Sequence, residues 1–290
     1  MDAAWQSAAV RQIGASPTTA RWIGLGGGTF GGTWRLESGS DRWFVKTQAA
    51  SRLAMLEAEA DGLRELSHAE AIRVPKPVVC ASASACAFLV LEWLEFGGGG
   101  RDAALGSVLA QLHRVTSDGY GWMRNNTIGA TPQDNAWSDD WAKFFRDRRI
   151  APQVSLAARN GSGRRVQRDG EKLLAAIPQL LSGHAPAASL LHGDLWSGNA
   201  TRLASGEPVI YDPAVYFGDR EADVAMTELF GGFGPDFYAA YRAASPIDAG
   251  YRVRRTLYNL YHVLNHFNLF GGGYGNQAHT MIAQLLAEVR

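Results

Sequence analysis

The sequence predicts an α+β chain of two lobes: a small β-rich lobe over residues 1–94 and a larger, mostly helical lobe over residues 95–290. Three observations carry this expectation. Runs of β-branched and aromatic residues, parted by turn residues, fill much of the first ninety positions. A glycine run, Gly97 to Gly100, then breaks the composition, so the boundary falls near Leu94 to Gly97. Beyond it, apolar residues recur at steps of three and four, the period of a helix face. The 290 residues suffice for two lobes sharing a core.

The elements follow in order. Ile23-Gly24-Leu25 reads as a first strand. Gly26, Gly27, Gly28, Gly31 and Gly32 form a loop, and Thr33 to Leu36 reads as a second strand. The turn Glu37 to Asp41 leads to a third, Trp43 to Lys46. Leu53, Leu56, Ala60, Leu63 and Leu66 make one face of a helix between Ser51 and Leu66. Val74-Pro75-Lys76-Pro77 is extended, because proline disfavours helix at the residue before it. Strands are expected near Val78 to Ala81 and over Phe88 to Leu91. After the glycine run, Leu105, Val108, Leu109, Leu112 and Val115 share a helical face. Further helices are expected over Asp140 to Arg149, Arg168 to Leu181, Tyr251 to Phe270 and Ala278 to Val289.

Bulk composition excludes several classes. Lys+Arg and Asp+Glu each number 28, so the formal charge is zero, which argues against general nucleic-acid binding. The local basic run Arg146, Arg148 and Arg149 reads as a solvated helix face. The longest apolar stretch, Ala87 to Trp93, is interrupted by Glu92 and too short to span a membrane. No signal peptide is evident. The two cysteines, Cys80 and Cys86, match no zinc or redox motif. These features point to a cytoplasmic protein that binds neither nucleic acid nor membrane; a monomer is expected, though composition does not fix the oligomeric state.

The sharpest chemical signal is Leu191-His192-Gly193-Asp194-Leu195-Trp196-Ser197-Gly198-Asn199. An Asp followed five positions later by Asn is the spacing of a kinase catalytic loop. Asp194 would take the proton of an attacking hydroxyl, and Asn199 would supply an oxygen to Mg²⁺. A strand, turn and strand from Thr201 to Tyr211 then lead to Asp212, placed to hold the same metal. In the first lobe, the backbone of Gly26, Gly27 and Gly28 is expected to cover the phosphates of ATP. Lys46 is the candidate phosphate lysine. Its expected partner is Glu59, which shares the inward helix face, with Glu57 as the alternative. Glu92, Trp93 and Leu94 form the expected hinge, whose backbone would bind the adenine edge.

At these residues the chain resembles the fructosamine/ketosamine kinase family. His192 to Asn199 looks like its signature, with Trp196 where related aminoglycoside and choline kinases usually have none. The resemblance continues through Asn126 to Gly129, Gln133, Asn135, Trp137 and Trp141, through Arg220 to Phe233, and through Leu260 to His266. It implies a protein-kinase-like fold and phosphorylation of ketosamines on the 3-hydroxyl. These are the rearranged adducts of sugars with amines, including protein lysines. Phosphate at carbon 3 is a leaving group beta to carbon 1, so the adduct decomposes and frees the amine. The resemblance also implies that Trp196 meets the sugar, and that Asp219 or Glu221 meets the substrate ammonium. Some relatives carry a redox-active cysteine in the glycine loop; Thr29 and Phe30 occupy that region here, so redox switching is not expected.

Other features read as structural. His262 and His266, four apart on a helix, lack the Glu of a zinc-protease motif and are expected to pack and hydrogen-bond. Asp223 is expected to cap a helix and brace the catalytic loop. His113 reads as a satisfied core histidine, and the nine tryptophans as mostly core. Two other functions remain open: another small-molecule kinase of the same fold, acting on a sugar, aminoglycoside or amino alcohol, and a non-catalytic nucleotide-binding module. The joint presence of Lys46, Asp194, Asn199 and Asp212 argues against the second.

Overall fold

The computed structural model describes residues 4–28, 31–161 and 163–289. Five antiparallel strands make the first sheet: β1 (Arg21–Gly28), β2 (Gly31–Ser38), β3 (Asp41–Ala49), β4 (Pro77–Ala83) and β5 (Cys86–Glu92), in the order β1-β2-β3-β5-β4. β1 runs further than the sequence suggests. Its Gly27 and Gly28 pair with Gly32 and Gly31 of β2, so the glycines expected in a loop are mostly hairpin strand. Thr29 and Phe30 lie outside the described residues.

Two helices sandwich this sheet. Helix α2 (Leu53–His68) packs Leu56, Ala60 and Leu63 into a core shared with Leu89 and Leu91. On the other face, α1 (Ala4–Gln12) sets Trp5, Ala9 and Val10 against Leu36, Val45, Phe88 and Val90. Residues 87–91 of β5 are therefore buried on both faces, which explains their unbroken apolar run. The sequence reading lacks α1, because a face made largely of alanine carries little hydrophobic contrast.

The second lobe is mainly helical. Its helices are α3 (Ala103–Leu112), α4 (Trp141–Phe145), α5 (Ala151–Arg159), α6 (Gly163–Leu180), α7 (Glu221–Leu229), α8 (Pro235–Ala244), α9 (Tyr251–Phe270) and α10 (Tyr274–Ala287). α9 starts and stops where the periodicity predicts, and α10 begins four residues before the expected Ala278. Short strands complete the lobe: β6 (Thr116–Ser117), β7 (Asn126–Ile128), β8 (Thr131–Gln133), β9 (Ala188–Leu191), β10 (Ala200–Arg202), β11 (Pro208–Ile210) and β12 (Tyr216–Gly218). β9 lies between β12 and β6 and leads into the loop His192 to Asn199. The hairpin β10–β11 follows that loop, as the sequence predicts.

A π-helical turn, Arg146–Ile150, joins α4 to α5. The wider turn carries Arg149 to the buried side, which overturns the expectation of a solvated face there. Arg149 is fully buried. It donates to Asp134 O and Asn135 Oδ1, both at 2.6 Å, and its guanidinium lies 4.1 Å from the ring centre of Tyr216. Most tryptophans belong to the core or pack against it, as expected, with Trp22, Trp34 and Trp43 lying against the cluster of α1. Trp5, Trp122 and Trp141 are buried, whereas Trp137 and Trp196 are exposed. No helix among the described residues is long and apolar enough to cross a membrane.

Trp5 tests the role of α1. Its ring meets Trp22 edge-on at 4.9 Å and lies 6.3 Å from Phe88. Trp5→Ala should cost about 3 kcal/mol, in the range for a large aromatic truncated in a core. Urea unfolding checks this as a lower midpoint at unchanged slope. A shift below about 0.5 kcal/mol would show that α1 is not part of the cooperative core.

Candidate active site

The catalytic loop is held by bonds to its backbone. Asp223, in the first turn of α7, accepts the N–H groups of His192 (2.7 Å) and Gly193 (2.9 Å). Behind it, His113 Nε2 lies 3.3 Å from the same carboxylate, and His113 Nδ1 lies 2.8 Å from Tyr241 Oη. Burial works to raise the Asp223 pKa, but the bonds and charges of His113 and His192 outweigh it and hold it below the usual value. The bracing role expected of Asp223 is thus present. The expected helix-capping role is absent: the N-cap of α7 is Arg220, with no side-chain cap, and Asp219 Oδ1, just before it, accepts the N–H of Glu221. His192 closes the loop on its other side. Its Nε2–H donates to Tyr211 O at 2.9 Å, and its Nδ1 accepts Asp194 N–H at 3.2 Å. Gly193 sits at φ +81° with the carbonyl of Ala214 so close that a Cβ would stand 2.1 Å from the oxygen.

The loop brings the predicted acids together with the lysine. Lys46 Nζ donates to Glu59 Oε1 and to Asp212 Oδ1, each at 2.6 Å. Glu57 pairs with Arg124 instead. Burial opposes the ammonium, but the attraction of Asp212 and Glu59 is greater, so the Lys46 pKa is raised and its charge is secure. Burial also raises the Glu59 pKa, with Lys46 pulling the other way. Asn199 Nδ2 donates to Asp194 O at 2.9 Å and lies 3.4 Å from both Asp194 Oδ2 and Asp212 O. Asp194 is strongly perturbed as well. Burial first, then the charges of Asp212 and Asp223, push its pKa up to about 7.

Two cavities meet at Phe44 and Asp212. The polar one, about 290 Å³, is lined by Gly31, Gly32, Lys46, Asp194, Asn199 and Trp196 among others. The second, about 340 Å³, is largely apolar, with Leu25, Leu91, Trp93, Leu94 and Tyr211 in its wall. The expected hinge residues Glu92, Trp93 and Leu94 all line this second cavity. Glu92 has its side chain committed to Arg73 and to Lys76 N–H. Of the glycines, Gly31 and Gly32 reach the polar cavity. Gly26 sits at a register shift in β1 with φ +103°, its carbonyl taken by Thr33 Oγ1 at 2.7 Å, and Gly27 and Gly28 are in the strand facing β2. Trp196, 40% exposed, meets Phe230 edge-on at 6.4 Å; Phe230 in turn lies 5.0 Å from His266.

Asp219 and Glu221 require correction. Both are buried, and they line a separate cavity with His184 and Asp248 rather than the cleft. Asp219 Oδ2 accepts from Tyr258 Oη–H at 2.5 Å and lies 2.6 Å from His184 Nε2. Glu221 holds Arg254 through two bonds, at 2.6 and 2.9 Å. Their carboxylates are bonded within the lobe and lie apart from the cleft that holds Asp194 and Asp212. Nearness to Asp212 in sequence misled here, because β12 carries the chain away from the cleft before α7 begins. Sequence reasoning also missed His262, whose Nδ1 lies 3.9 Å from Asp194 Oδ1. Its pairing with His266 at helix spacing hid it: His266 Nδ1 does bond the carbonyl of His262 at 2.8 Å, as a packing role requires.

Comparison with known proteins gives a consistent result. The family model described as fructosamine kinase matches residues 1–288. A probable ketoamine kinase of Synechocystis sp. is 47% identical over 265 residues, covering 90% of this chain and 89% of that protein. A chloroplastic protein-ribulosamine 3-kinase of Arabidopsis thaliana is 40% identical over 266 residues, covering 90% and 81%. Among solved structures, a "putative fructosamine-3-kinase" from Haemophilus somnus superposes with a TM-score of 0.89 at 29% identity, over 98% of this chain and 97% of that one. An aminoglycoside phosphotransferase follows at a TM-score of 0.68 and 14% identity, covering 98% of each chain, a likeness of fold alone.

Two outcomes follow from the loop geometry. Gly193→Ala places a methyl group against Ala214 O at a positive φ, so the loop must shift; activity should fall by at least about 10²-fold, the usual effect of an ångström of misplacement. Undiminished turnover would show that the loop can yield there without harm. Asp194→Asn should stabilise the metal-free protein at pH 8. Below about pH 4 this carboxyl is protonated in both the folded and the unfolded chain. Between about pH 4 and its folded value of about 7, only the folded chain keeps the proton, so the group's contribution to stability falls as pH rises. The side chain is still 24% exposed, and with that screening the gain above pH 7 is about 1–3 kcal/mol. It should vanish as pH approaches 4. Equal melting temperatures of the two proteins at pH 8 would contradict the raised pKa.

Proposed function

The chain belongs to the fructosamine kinase family, and from that premise we propose that it transfers the γ-phosphate of ATP to the 3-hydroxyl of a ketosamine. The observation that carries the reading is one loop that presents Asp194 and Trp196 to the same cleft as Lys46 and Asp212. Asp194 receives the proton of the attacking hydroxyl. Its raised pKa makes it a stronger base than an ordinary carboxylate. The hydroxyl oxygen bonds to phosphorus while the bond to the bridging oxygen breaks, and ADP leaves. Lys46, steered by Glu59, faces the phosphates, and the backbone of Gly31 and Gly32 approaches them from the small lobe. The apolar cavity by Leu91, Trp93 and Leu94 takes the adenine ring.

Asn199 and Asp212 fit a magnesium ion. An amide and a carboxylate are hard oxygen donors, and Asn199 uses its nitrogen on Asp194 O, which turns its oxygen to the cleft. When bound there, Mg²⁺ supplies charge neutralisation between the phosphates. The acceptor lies against Trp196, whose ring gives an apolar face to sugar C–H groups. In this reading residues 1–94 are the nucleotide lobe and 95–290 the catalytic lobe. The enzyme is a cytoplasmic monomer that repairs free or protein-bound adducts by destabilising them.

A panel of ketosamines, aminoglycosides and choline, assayed for ADP release, tests the substrate class. Phosphorus NMR of the product should place phosphate on the sugar 3-oxygen. Asp194→Asn should lower kcat by roughly 10²–10⁴ with nucleotide binding little changed. Trp196→Ala should weaken ketosamine turnover far more than ATP affinity. Turnover of choline or an aminoglycoside, with none of any ketosamine, would sink this reading in favour of another small-molecule kinase of the same fold.

A further inference from the structure

Helix α9 passes behind the catalytic loop with most of its buried polar side chains satisfied. Tyr258 Oη–H donates to Asp219, Tyr261 Oη–H to Gln133 Oε1 at 2.7 Å, and Asn265 Nδ2 to Ile128 O at 3.3 Å. Asn259 Oδ1 and His262 Nδ1 depart from this pattern, and of the two it is His262 that stands beside Asp194. His262 is 5% exposed, and its Nδ1 has no hydrogen-bond partner among the described residues. That atom stands 3.9 Å from Asp194 Oδ1, too far for a direct bond. An unpartnered buried nitrogen beside the catalytic carboxylate costs stability, so its place calls for a partner from outside the chain.

The separation matches one bridging oxygen atom, which would enter as the cleft adjusts around the acceptor. Two atoms 3.9 Å apart can each lie about 2.8 Å from a shared hydroxyl oxygen, with an angle of about 90° between the two bonds. We propose that His262 is a further catalytic residue: its Nδ1–H donates to the oxygen of the attacking hydroxyl while that hydroxyl donates its proton to Asp194 Oδ1. The hydroxyl is then held at two points, which fixes the direction of its remaining lone pair toward phosphorus.

The surroundings favour this arrangement. Next to a carboxylate, the neutral ring gains by carrying its proton on the facing nitrogen, since a lone pair there would be repelled. The ring must also stay neutral, because an imidazolium would pair with Asp194 and occupy the base. Burial, with His266 and then Arg149 adding to it against the pull of Asp223, pushes the His262 pKa down to about 3. The 3.9 Å contact is therefore a waiting pair and not a salt bridge. The inference rests on the kinase reading above but not on the identity of the acceptor.

Two variants test it. His262→Leu removes the donor at similar volume. His262→Asn restores an N–H near the position of Nδ1. On whichever acceptor the wild-type enzyme phosphorylates, His262→Leu should lower kcat about 10²-fold with the KM for ATP unchanged, the scale of losing one donor to a reacting oxygen. His262→Asn should stay within about fivefold of wild type, a loss of about 1 kcal/mol at most. A His262→Leu enzyme within twofold of wild type overturns the proposal. So does an Asn variant that falls as far as the Leu variant, which would make the imidazole a packing element. If the wild type ignores ketosamines but phosphorylates another alcohol, the substrate reading fails and this test proceeds on that alcohol.

Discussion

Asp223 reaches from the first turn of α7 and takes the backbone N–H groups of His192 and Gly193. Those two donors flank the sharpest bend in the catalytic loop, where Gly193 adopts a positive φ against Ala214. A carboxylate at a helix N-terminus, holding two adjacent amides, fixes both the position and the tilt of the peptide between them. Asp194 is the next residue, so its direction is inherited from that peptide. His192 extends the same restraint to Tyr211 and hence to the chain that carries Asp212. One buried acid therefore sets the relation between Asp194 and Asp212 without itself lining the cleft.

The cleft is electrostatically unbalanced by design of its contacts. Asp194, Asp212 and Glu59 face a single lysine. Lys46 pairs with two of the three, and burial first, then the charges of Asp212 and Asp223, raise the pKa of the remaining carboxylate, Asp194. A carboxylate that resists ionisation is a better proton acceptor once ionised. The same group destabilises the folded chain above neutral pH, a cost borne at the site where chemistry needs it. Arg149, buried under Tyr216 and Phe144, adds a fixed positive charge nearby that favours neutral imidazoles.

What the sequence disclosed and what it hid divide along physical lines. The loop from His192 to Asn199, the hairpin to Asp212 and the pairing of Lys46 with Glu59 were legible because each depends on spacing within a few residues or on one helix face. Helix α9 was legible because its period is strong. The register of β1 and β2 was not, since glycine serves strand and loop alike. Arg149 was misread because a π turn breaks the 3.6-residue period on which a helix face is inferred. Asp219 and Glu221 were misassigned because their burial, the pairing of Glu221 with Arg254 and that of Asp219 with Tyr258 and His184 arise from tertiary contacts that no local pattern encodes. His262 was hidden for the same reason: 68 positions separate it from Asp194 along the chain.

Asp212 combines two demands in one residue. It carries the carboxylate that meets Lys46, and its backbone sits at φ +58°, a region that aspartate, asparagine and glycine tolerate and most other side chains do not. A lineage that lost the need for catalysis would feel only the second demand. Its neutral drift at this position would be channelled to Asn or Gly, because β-branched or bulky substitutions would disturb the peptide that leads into Pro213 and Ala214. A descendant with Asn or Gly at position 212 and the rest of the loop intact would thus bear the mark of a retired catalyst whose fold was still under selection.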